Sequence, residues 1–397
     1  MKRDTKKTNK GQEHPTFANT EQVDITEFAA YCEQETKPDC YPLALDIKQN
    51  IPIYHGKHLQ LFIDEPTLML KCKTEFAKAL KDGPGVIVIK EAYSDLFPID
   101  EMSQIFNAIF VDEAEHKTAA DHFAEAGTNS RIWNAFEKSA RKAPSTFMDY
   151  YKNPILKLVS ESWLGPHYQI TAQVNVVHPG GKSQSPHRDY HLGFQDNEEV
   201  ARYPLHIQLS SSYLTLQGAV AHTNMPLESG PTRILPFSQL YPLGYLAWRD
   251  ASFKDYFETH AIQLPLEKGD AIFFNPALFH GAGSNITKDQ SRVANLLQIS
   301  SCFGKPMETV NLYEISKALY PTLLSKWQSD LTELEKSALL SAVCDGYSFP
   351  SNLDTDAPIA GMAPMTHAQL TRRALDENLS LSDYLHAMEQ HKSRRQS

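Results

Sequence analysis

The period of the apolar positions changes three times along the chain. Residues 66–81 read as a helix, and Gly83, Pro84 and Gly85 then break it ahead of Val86, Ile87, Val88 and Ile89, a β-branched run that predicts a buried strand. Asp100 is placed to cap a helix in which Met102, Ile105, Phe106, Ile109 and Phe110 follow the i, i+3, i+4, i+7, i+8 pattern. Another helix starts near Pro154, carries Ile155, Leu156, Val159 and Trp163, and ends at Gly165 and Pro166. From Tyr168 to about Phe303 the text turns to short β-rich runs: 168–177, 205–209, 213–221, 232–235, 261–266, 271–274 and 292–300. Turns such as Pro179-Gly180-Gly181 and Lys268-Gly269-Asp270 separate them. Many short strands at such intervals predict a mainly β fold with flanking helices, a jelly roll carrying its helices on the outer face. Past about residue 310 helical text resumes. Thr332 and Glu335 have capping-box spacing, and a Pro/Asp-rich stretch from Phe349 to Pro364 precedes a last helix near 367–390.

These periods divide the chain into a polar, Lys-rich leader at 1–20 without periodicity, expected to be disordered, a main domain over 21–310, and a helical extension over 311–397 that packs on the barrel. With 397 residues there is ample length for one large core. Thirty-eight basic against 48 acidic side chains give a net charge of −10, and most of the basic excess sits at the two ends. An acidic body disfavours a nucleic-acid partner. No apolar run reaches the roughly 18 residues of a membrane span, and the N-terminus lacks a signal-peptide core. Five cysteines without CxxC spacing suggest neither a disulfide framework nor a zinc ribbon. A cytoplasmic protein acting on a small molecule fits best.

The informative segment is Ser185-Pro186-His187-Arg188-Asp189-Tyr190-His191. In an extended chain residues i and i+2 share a face, so His187 and Asp189 present an imidazole and a carboxylate side by side, as a metal chelate requires. About one His-x-Asp is expected by chance in a chain of this composition, and alone it carries no weight. A second segment supplies the weight. In Glu267-Lys268-Gly269-Asp270-Ala271-Ile272-Phe273-Phe274 a Gly-Asp turn opens an apolar strand, and His280 follows just ahead of a Gly-rich loop. A jelly roll brings distant strands together, so His280 can complete a two-His, one-carboxylate face on one ion. Such a face leaves three positions open and suits non-heme Fe(II) with a bidentate cosubstrate and dioxygen. Arg292 shares a period-two face with Ala294 and Leu296, which points a guanidinium into an apolar interior where it should hold a partner. The distal carboxylate of a dicarboxylate suits its two-pronged donor geometry. An internal Asp or Glu is the alternative.

From about Gly85 to Phe303 the chain resembles the phytanoyl-CoA dioxygenase family of Fe(II)/2-oxoglutarate oxygenases. His187-Arg188-Asp189 matches the first metal motif of that family, and the segment from Glu267 to Gly283 matches its distal motif. The run Glu228 to Gln239 follows its Asn-Gly-x-x-x-x-x-Pro-Gly-Ser-His pattern in family order, with Phe237 and Gln239 in place of the Gly and His. The resemblance implies a cupin-like double-stranded β-helix core, Fe(II) held by His187, Asp189 and His280, 2-oxoglutarate bound by Arg292 with Gln173 as a further contact, and O2 as the oxidant. It also implies hydroxylation or a related oxidation with release of succinate and CO2, because Asp189 fills the position that halogenating relatives leave small. Ala282 and Ala219 stand where the family carries a Ser and an aromatic near the cosubstrate.

Arg188, Tyr190, His191 and Arg233 are further candidates for substrate contact, against surface or turn-stabilising roles. The stretches 194–204 and 239–260, insertions relative to a minimal barrel, are expected to shape a pocket for a natural-product or amino-acid-like substrate. His206, His222 and His260 read as structural, and Phe273, Phe274 and Phe279 as core. Two other readings stay open. A cupin-like metalloenzyme without 2-oxoglutarate predicts a dispensable Arg292, whereas a noncatalytic jelly-roll binding module predicts no metal-dependent succinate release.

Overall fold

The computed structural model describes residues 14–115, 129–358 and 361–396. The strands among them are β1 (Asp46–Lys48), β2 (Ile51–His55), β3 (Val86–Lys90), β4 (Asn129–Ile132), β5 (Gln169–Val177), β6 (Thr215–Ala221), β7 (Arg233–Leu235), β8 (Ala271–Phe274), β9 (Phe279–Gly281) and β10 (Arg292–Ser300). Eight form one sheet in the order β1-β2-β3-β8-β6-β10-β5-β4, antiparallel except for the β2/β3 pair, and β7 and β9 form a second, antiparallel ladder. Isolated bridges join His187 to His280, Met225 to Leu266 and Ile234 to Ile262.

Strand alternation sorts the large sheet into two faces. Ile87, Ile89, Ile170, Ala172, Val174, Leu216, Val220, Phe273, Leu297 and Ile299 belong to the main core, which the helices cover. Val86, Val88, Ala219, Ala221, Ile272, Phe274 and Ala294 belong to a second cluster inside, with Ile234 of β7 and Leu278 beside β9. The inner face is apolar toward β3 and β8 and polar toward β5 and β10. In register, Gln173 lies opposite Leu296, Thr171 opposite Gln298, and Gln298 opposite Gln217 of β6. That polar end positions the site.

Helices follow local chemistry. In Pro66–Lys81 the first turn opens on Pro66, Glu65 accepts from the amides of Thr67 and Leu68, and Lys78 and Lys81 sit in the last turn, complementing the helix dipole. Pro154–Leu164 stops at Gly165, whose φ of 73° only glycine adopts readily. Thr332 and Glu335 form the capping box that opens Glu333–Val343.

Several expectations are corrected. Nearly half of the chain is helical, so a mainly β description understates the layer covering the outer face. Asp100 does not cap its helix, which runs Phe97–Glu115. The Asp95 carboxylate accepts from the Phe97 amide, and Asp100 instead pairs with Lys268. The run 205–209 is part of helix Leu205–Ser211, because the buried Gln208 amide donates to the carbonyls of Val200 and Tyr203. The run 261–266 makes only the bridges at Ile262 and Leu266. The last predicted helix is two, His367–Asp376 and Leu381–Arg394, broken by Asn378 at φ 54° and restarted by a Ser380 cap. Within the expected leader at 1–20, residues 1–13 lie outside the described residues. Residues 14–20 rest on the body: Ala18 is buried, the Thr16 carbonyl accepts from Leu205 N, and His14 Nε2 is 3.1 Å from Glu27. No described helix is long and apolar enough to cross a membrane.

Candidate active site

His187 and His280 are cross-strand neighbours. Each backbone amide donates to the other's carbonyl, at 3.0 Å from His187 N and 3.2 Å from His280 N, while Asp189 N donates to Pro276 O at 2.9 Å. The two motifs, remote in sequence, are laced together by main chain, and period two turns Asp189 to the same side as His187. His187 Nε2 lies 3.6 Å from Asp189 Oδ1, and His280 Nε2 lies 3.4 Å from Asp189 Oδ2. All three ligand atoms fall within 4.8 Å of one another.

The remote ring nitrogens fix the tautomers. His187 Nδ1 is 3.0 Å from Ser185 O and His280 Nδ1 is 2.9 Å from Leu278 O. A carbonyl can only accept, so Nδ1 carries the proton in each ring and Nε2 presents its lone pair. Two imidazole lone pairs and a carboxylate therefore converge. That is the donor set of a divalent metal, and the carbonyl partners are the outer contacts such ligands use. The residues fit an iron ion.

Burial would raise the pKa of Asp189, but His187, His280 and the Gln217 amide outweigh it and hold the carboxyl well below its usual range. Burial lowers the His187 pKa, with His280 adding to the effect and Asp189 opposing it. Gln217 Nε2 donates to Asp189 Oδ2 at 2.5 Å, and Tyr245 OH donates to the Asp189 carbonyl at 3.1 Å.

The triad opens into a cavity of about 570 Å³. Arg292, 6% exposed, lines it and donates to the carbonyl of Gly230. Gly230 presents that carbonyl from a φ of 71°, with its α-carbon face against the carbonyls of Gly283 and Ser284. No carboxylate among the described residues pairs with Arg292, so the internal ion pair held open as an alternative is not observed there. Burial lowers its pKa to about 10, which leaves it cationic at neutral pH. Gln173 also lines the cavity. Its Oε1 accepts from Arg131 at 2.8 Å and its Nε2 points at Met307 Sδ, 3.5 Å away. Ala219 and Ala282 also line the cavity.

Each of the four substrate candidates makes contacts within the fold, and Arg188 is also among the cavity-lining residues. Arg188 follows His187 and so turns to the opposite side, where its guanidinium donates to Ser238 O (2.6 Å) and Tyr241 O (3.1 Å) between the rings of Tyr245 and Phe279. A Cβ at Gly244 would lie 1.8 Å from its Cζ, so only glycine permits this seat. Tyr190 OH donates to Pro306 O and His191 Nε2 to Lys305 O, pinning the segment after β10. Arg233 holds Glu258 and donates to Gln184 O at 2.6 Å. Cavity residues the sequence reading passed over include Arg131, Asn175, Gln217, Gln298 and Met307. A signal existed for some: Thr171, Gln173 and Asn175 alternate with Ile170, Ala172 and Val174, a polar face on a strand buried on both sides. The two insertions contribute Phe194 and Trp248 to the wall.

A family model described as phytanoyl-CoA dioxygenase matches residues 82–294. Dioxygenase olcK of Penicillium canescens is 26% identical over 235 residues, 57% of this chain and 70% of that protein. Dioxygenase trt7 of Aspergillus terreus is 31% identical over 128 residues, 32% of this chain and 39% of that protein. Among solved structures, the non-heme alpha ketoglutarate dependent epimerase SnoN from nogalamycin biosynthesis is 16% identical, covering 60% of this chain and 84% of its own, with a TM-score of 0.43.

Proposed function

Because this chain belongs to the phytanoyl-CoA dioxygenase family, we propose that it is an Fe(II)/2-oxoglutarate-dependent dioxygenase that hydroxylates a small molecule. The ligands are His187, Asp189 and His280, and Arg292 anchors the C5 carboxylate of 2-oxoglutarate. The two facing sheets are read as a double-stranded β-helix around the site. The observation that carries the reading is a cluster of three lone-pair donors in the same cavity as a buried guanidinium with no carboxylate partner among the described residues. An internal arginine of this kind costs stability, and an incoming carboxylate removes that cost.

Iron bound there supplies the redox chemistry by which 2-oxoglutarate and dioxygen become succinate and carbon dioxide while the substrate is oxidised. The chain's own residues do the rest. Ser185 and Leu278 carbonyls hold both imidazoles in the ligating tautomer. Arg292 orients the diacid by its far end, which leaves the keto end facing the triad. Gln173 offers a carboxamide already aligned by Arg131. Phe274, Leu296 and Ala219 keep one wall apolar, which limits water at the reacting carbon.

The test is an anaerobic titration of the metal-free protein with Fe(II) followed by 2-oxoglutarate. The expected result is a visible charge-transfer band of the chelated keto acid, absent in His187→Ala. A wild-type protein that gives no band, or metal-independent succinate formation, would overturn the reading.

A further inference from the structure

Gln217 stands out among the buried polar side chains of the inner face. It is 3% exposed, the one polar side chain in β6 after Thr215, and it lines the cavity. Its Nε2 reaches Asp189 Oδ2 at 2.5 Å. With Asp189 Oδ2 as the acceptor of that hydrogen bond, the amide nitrogen faces Asp189 and the carbonyl faces away from it. That carbonyl, Oε1, is buried without a hydrogen-bond partner among the described residues.

This is an unfavourable way to place an amide for stability alone. A buried carbonyl without a donor costs about 1–3 kcal/mol, comparable to what the charged hydrogen bond at the other end returns. A leucine would fill the same strand position without that cost, as Leu216 does beside it on the outer face. The arrangement makes sense if what matters is the setting of the Asp189 carboxylate. One of its oxygens is engaged by the amide, and the backbone carbonyl of the same residue is held by Tyr245. A carboxylate fixed in one rotational setting meets a metal through one oxygen, which keeps open the positions a bidentate keto acid and dioxygen need.

We propose that Gln217 is a positioning residue for the metal site, acting through Asp189 to set how the carboxylate meets the ion. The inference rests on the iron reading above, and the experiment separates the two. Co(II), an oxygen-stable probe, is titrated calorimetrically into metal-free wild type, Gln217→Met, Gln217→Asn and His187→Ala, and the Co(II) absorption spectrum is recorded at saturation. Gln217→Met keeps the length and removes the donor. Gln217→Asn keeps a buried amide but retracts it by about one C–C bond, roughly 1.5 Å, and serves should the methionine variant fail to fold. The expected result is Co(II) affinity weakened about 10- to 100-fold in both, with an altered absorption spectrum and thermal midpoints near that of wild type. Wild-type affinity and an unchanged spectrum in either folded variant overturn the inference while leaving the iron reading intact. Wild type that binds no Co(II), or His187→Ala that binds it equally well, overturns both.

Discussion

On the outer face of the sheet, buried polar groups largely satisfy one another: His222 lies between Ser103 Oγ (2.8 Å) and Tyr150 OH (3.0 Å), and Asn295 Nδ2 donates to the hydroxyls of Tyr150 and Tyr151, which leaves Asn295 Oδ1 alone of this network without a partner among the described residues. On the inner face, the same strands carry Arg292 with one carbonyl, and the Oε1 atoms of Gln217 and Gln298 and Nδ2 of Asn175 have no partner among the described residues. Both sets are buried to a similar degree. The outer network is closed by protein at every side-chain polar atom but Asn295 Oδ1 and so belongs to stability, whereas the inner set is left incomplete at several atoms and so belongs to whatever enters. Protein interiors rarely leave such groups unpaired, which makes the contrast informative without reference to any ligand.

The comparison breaks first at Arg292. Replacing it with Met should weaken 2-oxoglutarate binding by about 2–5 kcal/mol, a loss of thirtyfold or more. Stability should fall by less than about 1 kcal/mol, since a single carbonyl loses its donor while a desolvated charge is removed. Anaerobic titration and urea midpoints on the same variant would decide, and a destabilised variant with normal affinity would place Arg292 in the outer class.

His222 should behave in the opposite way. His222→Leu leaves Ser103 and Tyr150 short of a partner, with an expected cost near 2–3 kcal/mol and 2-oxoglutarate affinity unchanged. Its titration sharpens the point. Burial, then Lys268, depresses its pKa to about 3, with Asp100 opposing. Between about 6.5 and 3 the unfolded chain therefore holds a proton that the native protein excludes. Stability falls as pH drops through that window, by at most about 1.4 kcal/mol per pH unit from this group. The deficit of His222→Leu relative to wild type should shrink between pH 7.5 and 5.5, and a constant gap in urea midpoints would contradict the assignment.

The smallest effect is expected at Arg233. Its pair with the half-exposed Glu258 supports under about 1 kcal/mol, and Arg233→Gln should leave 2-oxoglutarate affinity within a factor of two. A larger loss of affinity would return Arg233 to the site.

The convergence of His187, Asp189 and His280 and the inward placement of Arg292 were legible because each carries a local pattern: i, i+2 spacing at 187 and 189, a Gly-Asp turn into an apolar strand before His280, and a charge on an apolar face at 292. Arg188 is among the cavity-lining residues, yet the same period-two rule puts its guanidinium on the reverse side of His187. Gln217 and Asn175 were passed over because an isolated amide in a strand looks like tolerated polarity until the register places it beside a carboxylate. Trp248 and Met307 carry no local pattern at all, since they reach the cavity through turns of chain whose path only tertiary packing sets. The outer helices were legible where a cap and a full periodic stripe coincide, as in Pro66–Lys81. They were not where a short segment such as Leu205–Ser211 is held by one glutamine.

The reciprocal amide–carbonyl pair between His187 and His280 has a further consequence for handling the protein. Because main chain, not the ion, sets the spacing of the two imidazoles, the empty protein keeps its coordination cage assembled. A chelator should strip the metal without melting the sheet, and re-addition should restore the site at the speed of diffusion and ligand exchange rather than of refolding.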